Sequence, residues 1–378
     1  MIVGVPSETF PGERRAALVP ESVERLVRKG FEVRVQCGTG AAAGFADEAY
    51  RLAGGKIIGS SEALLGGLDL AIKIHPPTIP EVDALRENSV LMCLLFAARN
   101  PVLLQRLGAR RITTIALEKL PRTTVAQAMD VLTSQNTAAG YRAAILVAHA
   151  LAKFFPMLMT PAGTIAPARL LVVGAGVAGL QAIATARRLG AMVEVFDVRP
   201  AAREEAESLG AKFITADLDG NHETTEGYAR ELDPAALVRA RAAITRALIN
   251  ADACITTALV PDQPAPLLLT ADMVRRMRPG SVIVDLAADQ GGNCELTQPG
   301  RDRVQDGVTI IGRLNLASEV AQDASRMYSR NVEKLLDHFL RDGALCFDCS
   351  DEISRRCVVI RGGEIPPRLI ENQAEAQR

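Results

Sequence analysis

The stretch Leu170-Leu-Val-Val-Gly-Ala-Gly-Val-Ala-Gly-Leu180 carries three glycines at G-x-G-x-x-G spacing, Gly174, Gly176 and Gly179. An apolar run precedes them, a small-residue helical run follows from Val177 to about Leu189, and a second apolar run ends at Asp197. Strand, tight turn, helix and a second strand closed by an acid form the arrangement that binds a dinucleotide. Gly174 permits the turn, Gly176 lets the backbone approach a pyrophosphate, and Gly179 lets the helix pack closely on the sheet. The amides at the helix start, around Val177 and Ala178, then face negative charge. Asp197 would accept hydrogen bonds from a ribose 2′-hydroxyl and repel a 2′-phosphate, which favours NAD(H) over NADP(H). Arg199, two residues on, weakens that discrimination.

The elements that position this turn follow from periodicity. The first ~115 residues alternate strands and helices. Strands are expected at Ile2–Val5, Phe31–Gln36, Lys56–Ile58, Leu68–Ile74, Val90–Leu95 and Ile112–Leu117, and a helix over Pro20–Lys29 with Gly30 past its end. A long helix is expected over Thr124–Phe155. A second α/β unit follows, with strands at Leu170–Val173, Val193–Phe196, Lys212–Ile214, Ala253–Thr256, Ser281–Asp285 and Val308–Ile311, and a returning helix over Ser318–Leu340. The fold class is therefore α/β: two doubly wound Rossmann-like domains joined by long helices, with the nucleotide-binding domain (137–317) inserted into the first (1–136 plus 318–378). The cleft between them is expected to hold the reactive end of the cofactor. The polar, acidic stretch from Ala216 to Asp233 exceeds what a minimal unit needs, and such loops are often lids.

Composition narrows the class. The chain has 378 residues, 48% of them hydrophobic, enough for a large core, and a net charge of −1, which argues against nucleic acid or an anionic membrane as partner. No run approaches the roughly 18 apolar residues of a membrane span, and Met1–Pro6 reads as a strand, not a signal peptide. The seven cysteines are scattered, as suits a reducing compartment. Cys346 and Cys349 form a lone C-x-x-C with Cys357 nearby, and the four histidines, His75, His149, His222 and His338, do not cluster, so no metal site is expected.

Several segments are more specific: Glu13-Arg-Arg-Ala-Ala-Leu-Val-Pro20, Gln127-Ala-Met-Asp130, Ala139-Gly-Tyr-Arg142, the run from Thr256 to Pro266, and Val284-Asp-Leu-Ala-Ala-Asp-Gln-Gly-Gly-Asn-Cys294. Through them the chain resembles, over nearly its whole length, the NAD(H)-binding component (domain I, separate alpha-1 subunit form) of proton-translocating nicotinamide nucleotide transhydrogenase. Alanine dehydrogenase shares the architecture and several segments. That enzyme needs acid–base groups to pass through an imine. Its lysine falls where His75 stands here and its histidine where Leu95 stands. Hydride transfer between two nicotinamide rings needs no such groups, only face-to-face alignment without water. The resemblance therefore implies a transhydrogenase subunit. A stand-alone amino-acid dehydrogenase and a non-catalytic NAD(H)-binding module stay open as alternatives.

The resemblance also implies roles. Arg122 would hold the nicotinamide, Gln127 would bridge towards the partner's nucleotide, Asp130 would orient this group, and Thr133 stands where the family has serine. Thr257, Ala258, Leu259 and Asp289 would border the nucleotide together with the glycine turn, Asp197 and Arg199. Tyr228 matches the tyrosine of the family's mobile loop. Arg15 and Asp289 keep family positions and are expected to stabilise the fold. Val125 and Glu319 depart from arginine and from a positively charged stretch. Implied partners are a second copy in a homodimer, a membrane-embedded subunit, and an NADP(H)-binding subunit that carries NADP(H). The implied location is cytoplasmic, peripheral on the inner membrane through those partners, with no direct membrane insertion.

Overall fold

A computed structural model describes residues 1–216, 230, 232–260, 263–347 and 350–366. The chain forms two compact units, one of Met1–Gln135 with the described part of Ser318–Arg378, the other of Asn136–Ala317.

The first unit contains β1 (Ile2–Val5), β2 (Glu32–Gln36), β3 (Lys56–Ile58), β4 (Leu70–Ile72), β5 (Val90–Cys93) and β6 (Thr113–Ala116). They lie in the order β6-β5-β4-β1-β2-β3, all parallel. Strand residues alternate between two cores because a strand has period two. Leu70, Ile72 and Met92 join one apolar cluster and Ala71, Leu91 and Cys93 the other. Burial on both faces explains why these strands read as continuous apolar runs.

The second unit repeats the plan. It begins with a hairpin, β7 (Leu158–Thr160) and β8 (Gly163–Ile165), and continues with β9 (Arg169–Val173), β10 (Met192–Phe196), β11 (Lys212–Phe213), β12 (Ala253–Thr256), β13 (Val282–Asp285), β14 (Asp302–Gln305) and β15 (Val308–Ile311). Its sheet order is β11-β10-β9-β12-β13-β15-β14. Val172 packs into one core, Leu171 and Val173 into the other. The chain reverses its winding between β9 and β12, where open α/β sheets bind ligands beyond the carboxyl ends of the strands.

Both sheets are thus doubly wound, and three features depart from the sequence reading. Each sheet gains an antiparallel edge strand: β14 pairs with β15, and Val358–Ile360 pairs with β6. The hairpin β7–β8 lies where a loop was expected. The linking helix is shorter than expected, Val131–Ala150. Residues Gln127–Met129 form a 3₁₀ turn instead, and Asp130 is extended (ψ 97°), so the helix starts after it. The Asp130 carboxylate accepts from the Thr133 amide at 3.0 Å and its hydroxyl at 2.6 Å, which fixes that start. The returning helix likewise begins late, at Ala321, after a 3₁₀ stretch Leu316–Val320. No helix among the described residues is long and apolar enough to cross a membrane.

Candidate functional site

In the second unit, β9 runs into the glycine turn and the helix Val177–Arg188 leaves it. Gly174 has φ +102°, a conformation that L side chains rarely adopt, and an added Cβ would lie 2.8 Å from Thr257 Oγ1. Its amide donates to the Phe196 carbonyl at 2.8 Å, which ties the turn to the end of β10. Gly179 faces the Gly174 carbonyl so closely that a Cβ would overlap it. Gly176 differs: nothing lies within 4 Å of where its Cβ would stand. The turn is therefore tight where it meets protein and open at Gly176. Gly176 is also the N-cap and has no side chain to satisfy the amides that follow. The first amides of a helix have no acceptor within it, and Val177 and Ala178 are half-buried at that end. These features fit a dinucleotide pyrophosphate at the turn.

Asp197 follows β10. Its Oδ2 accepts from the Ala175 amide at 2.7 Å, binding the acid to the turn. Arg199 folds back onto the same carboxylate, its amide and Nε on Oδ1 at 2.8 and 3.0 Å and its Nη2 on Oδ2 at 3.0 Å.

Beyond β12, Thr257 donates its hydroxyl to the Gly174 carbonyl at 3.0 Å and its amide to Val173 O at 2.8 Å. Ala258 donates its amide to Asn293 Oδ1 at 2.9 Å, and the Asn293 amide group returns bonds to the carbonyls of Ala258 and Pro266, both at 2.8 Å. Asn293 is fully buried and clamps the segment that carries Thr257, Ala258 and Leu259. Asp285 holds the next loop. Its buried carboxylate accepts from Thr256, Thr297 and the amides of Ala287 and Cys294. Asp289 sits on an exposed 3₁₀ turn, Ala288–Gln290. Asn293 and Asp285 both lie in the segment Val284–Cys294 that stands out in the sequence, but nothing local marks either as a clamp. Gly140 is similar: it lies in the linking helix, and an added Cβ would overlap the Ala178 carbonyl, so this glycine lets that helix sit on the start of the nucleotide helix.

Arg122, Gln127, Asp130 and Thr133 belong to the first unit. Arg122 and Gln127 are exposed, Gln127 on the 3₁₀ turn, and Asp130 and Thr133 are bonded to each other as described. The Asn331 amide donates to the Ala128 carbonyl at 2.9 Å and ties this turn to the returning helix. Tyr228, His222 and Cys349 lie outside the described residues.

The first unit has its own crossover point, between β1 and β4, and charged side chains crowd it. Glu13 grips Arg15 through Nε (2.9 Å) and Nη2 (2.6 Å), and Arg15 Nη1 donates to Gln135 at 2.7 Å. His75 Nε2 lies 2.7 Å from Glu13 Oε2, its ring stacked on Phe10. Burial raises the Glu13 pKa, but the bonds from Arg15 and His75 outweigh it and hold the acid well below the usual carboxylate range. Behind them Lys73, 1% exposed, bonds Glu81 at 2.9 Å and lies 3.7 Å from Glu8. Burial pushes Glu8 up against the opposing pull of Lys73. Leu95 is fully buried, and its amide, with that of Phe96, donates to the buried Glu118. No proton-transferring side chain stands at position 95, and His75 is engaged by an acid. A lysine within the apolar run Leu70-Ala-Ile-Lys-Ile74 is the one sequence signal for the buried triad. Among the described residues no group of three His, Cys, Asp or Glu side chains is placed to hold a metal.

Residues 4–139 match the alanine dehydrogenase/PNT N-terminal domain and residues 143–367 the C-terminal domain. The chain belongs to the alanine dehydrogenase/PNT family. It is 45% identical to the first of the separately encoded portions of NAD(P) transhydrogenase subunit alpha from Rhodospirillum rubrum, over 98% of this chain and 99% of that protein. It is 31% identical to alanine dehydrogenase of Mycolicibacterium smegmatis, over 79% and 76%. Among solved structures, a transhydrogenase from Sinorhizobium meliloti superposes with a TM-score of 0.84 at 37% identity, over 97% of this chain and 98% of that one. An L-alanine dehydrogenase superposes at 0.83 with 25% identity, over 99% of each. The fold is common to both branches, while the higher sequence identities are to transhydrogenase alpha subunits.

Proposed function

We propose that this chain is the NAD(H)-binding subunit of a proton-translocating NAD(P) transhydrogenase. It would present NADH to NADP+ held by a partner subunit, with proton movement carried by a membrane-embedded subunit. It would act as a homodimer, cytoplasmic and peripheral on the inner membrane through those partners. The observation that carries this reading is the contrast between the two crossover points. The second unit keeps an open glycine turn at Gly176 beside an acid, Asp197. The first unit has a buried leucine at position 95, where amino-acid oxidation would need a proton carrier.

The residues fit the nucleotide by their chemistry. The amides after Gly176 would meet the pyrophosphate, Asp197 the adenosine ribose, and Thr257, Ala258 and Leu259 the wall beside it. Bound NADH supplies the hydride. The protein's work is alignment and exclusion of water, which we assign to Arg122, Gln127, Asp130 and Thr133. The bond from Thr133 to Asp130 supports a fixed Asp130, and the 3₁₀ turn supports a fixed Gln127 backbone.

The test combines the chain with the NADP(H)-binding subunit and follows single-turnover hydride transfer from NADH to NADP+. Gln127→Asn should slow transfer far more than it weakens NADH binding, since about 1 Å of misplacement can cost on the order of a hundredfold. Turnover of alanine and NAD+ by the isolated chain at roughly 1 per second or faster would overturn the reading in favour of a dehydrogenase.

A further inference from the structure

A carboxylate has about four acceptor positions, and Asp197 uses all of them. Two go to backbone amides, Ala175 and Arg199, at 2.7 and 2.8 Å. The other two go to the Arg199 guanidinium, Nε and Nη2, each at 3.0 Å. Both side chains are largely enclosed, Asp197 6% and Arg199 16% exposed. The backbone amides belong to the turn and stay with it. The guanidinium is on a flexible stem and is the partner that can leave. Its backbone is pinned, since Arg199 precedes Pro200, the N-cap of the helix Ala201–Ser208.

This geometry bears on a nucleotide in two ways, given the reading of Asp197 as the ribose acceptor. Ribose hydroxyls must donate to the oxygen positions that the guanidinium holds, so Arg199 competes with them. The guanidinium also offsets the charge that would reject a 2′-phosphate. We infer that Arg199 is a specificity-determining residue: its fork masks Asp197 until a ribose displaces it, and its charge limits how strongly the site discriminates NADH from NADPH. Once displaced, the cation stays tethered two residues from Asp197 and attracts a 2′-phosphate more than a 2′-hydroxyl.

Equilibrium titration of the full chain with NADH and with NADPH, followed by nicotinamide fluorescence, tests this. Arg199→Ala should tighten NADH about threefold to fivefold, the scale of a well-formed ion pair near the surface, and should weaken NADPH. The ratio of the two dissociation constants should therefore widen. Arg199→Lys keeps the charge and loses the fork, so it should tighten NADH while leaving NADPH near the unmodified value. Each ratio is taken on one sample, so it does not depend on the fraction folded. Weaker NADH binding in Arg199→Ala, or an unchanged ratio, would overturn the proposal and make Arg199 an ordinary contact or a bystander. Asp197→Asn serves as the separate control. If it leaves NADH binding unchanged, the assignment of the ribose acceptor fails, whatever Arg199 does.

Discussion

Gly140→Ala sets two effects of opposite sign against each other. In an exposed helix interior the change would gain about 1 kcal/mol from helix propensity. Here the added Cβ would overlap the Ala178 carbonyl oxygen and stand 2.8 Å from its carbon and 2.9 Å from its Cα. Ordinary contact begins at 3.4 Å, so even the carbon contact requires the two helices to part by about 0.6 Å. The obstacle is backbone on both sides, and no side chain can rotate away. Overpacking that forces backbone shifts costs about 1–3 kcal/mol and occasionally more. The clash outweighs the propensity, and a net loss of about 1–2 kcal/mol is expected. The displaced backbone includes Ala178 in the first turn of the nucleotide helix, so NADH should also bind several times more weakly. Urea unfolding and NADH titration of the same sample provide both numbers. A variant as stable as the original or more so, with unchanged NADH affinity, would refute the argument that this glycine exists for close approach.

Gly176→Ala should behave in the reverse manner: with no atom near the new methyl, the melting temperature should hold within a degree or two while NADH binding falls at least tenfold, about 1.4 kcal/mol. Glu13→Gln should cost about 3 kcal/mol at neutral pH, because it removes the negative charge that faces a buried Arg15. Since the folded pKa of Glu13 is lowered, its contribution is complete above its ordinary value of 4.5 and is lost progressively as pH falls below it. The variant's stability should therefore fall less steeply than the original's between about pH 5 and about pH 3, as chemical denaturation at both ends of that range would reveal. Lys73→Met should destabilise by about 3–5 kcal/mol by stranding Glu8 and Glu81, and adding Glu81→Gln to that variant should recover part of the loss in thermal unfolding.

Local chemistry wrote much of this protein into its sequence. Apolar runs placed the parallel strands within a residue or two because both faces of each sheet are buried, and burial leaves no polar alternation to misread. The glycine turn was legible because each glycine answers a backbone constraint. The hairpin of β14 and β15 also has a local signal: Asp306 and Gly307 both have positive φ and join the strands as a two-residue loop, the preferred Asp-Gly turn. The shortened linking helix depended on Asp130 taking an extended backbone, a local choice that periodicity cannot detect. What the sequence could not hold is pairing at long range. Asn293 meets Ala258 across 35 residues, Arg15 meets Gln135 across 120, and Tyr328 donates to the Lys73 carbonyl across 255. Such bonds come from the return of distant strands to one sheet edge, and no window along the chain contains both partners. The same reason governs Asp197. Its presence at the strand end was readable, but its saturation by Ala175 and the folded-back Arg199 required the turn, the strand and the loop to be set in space together.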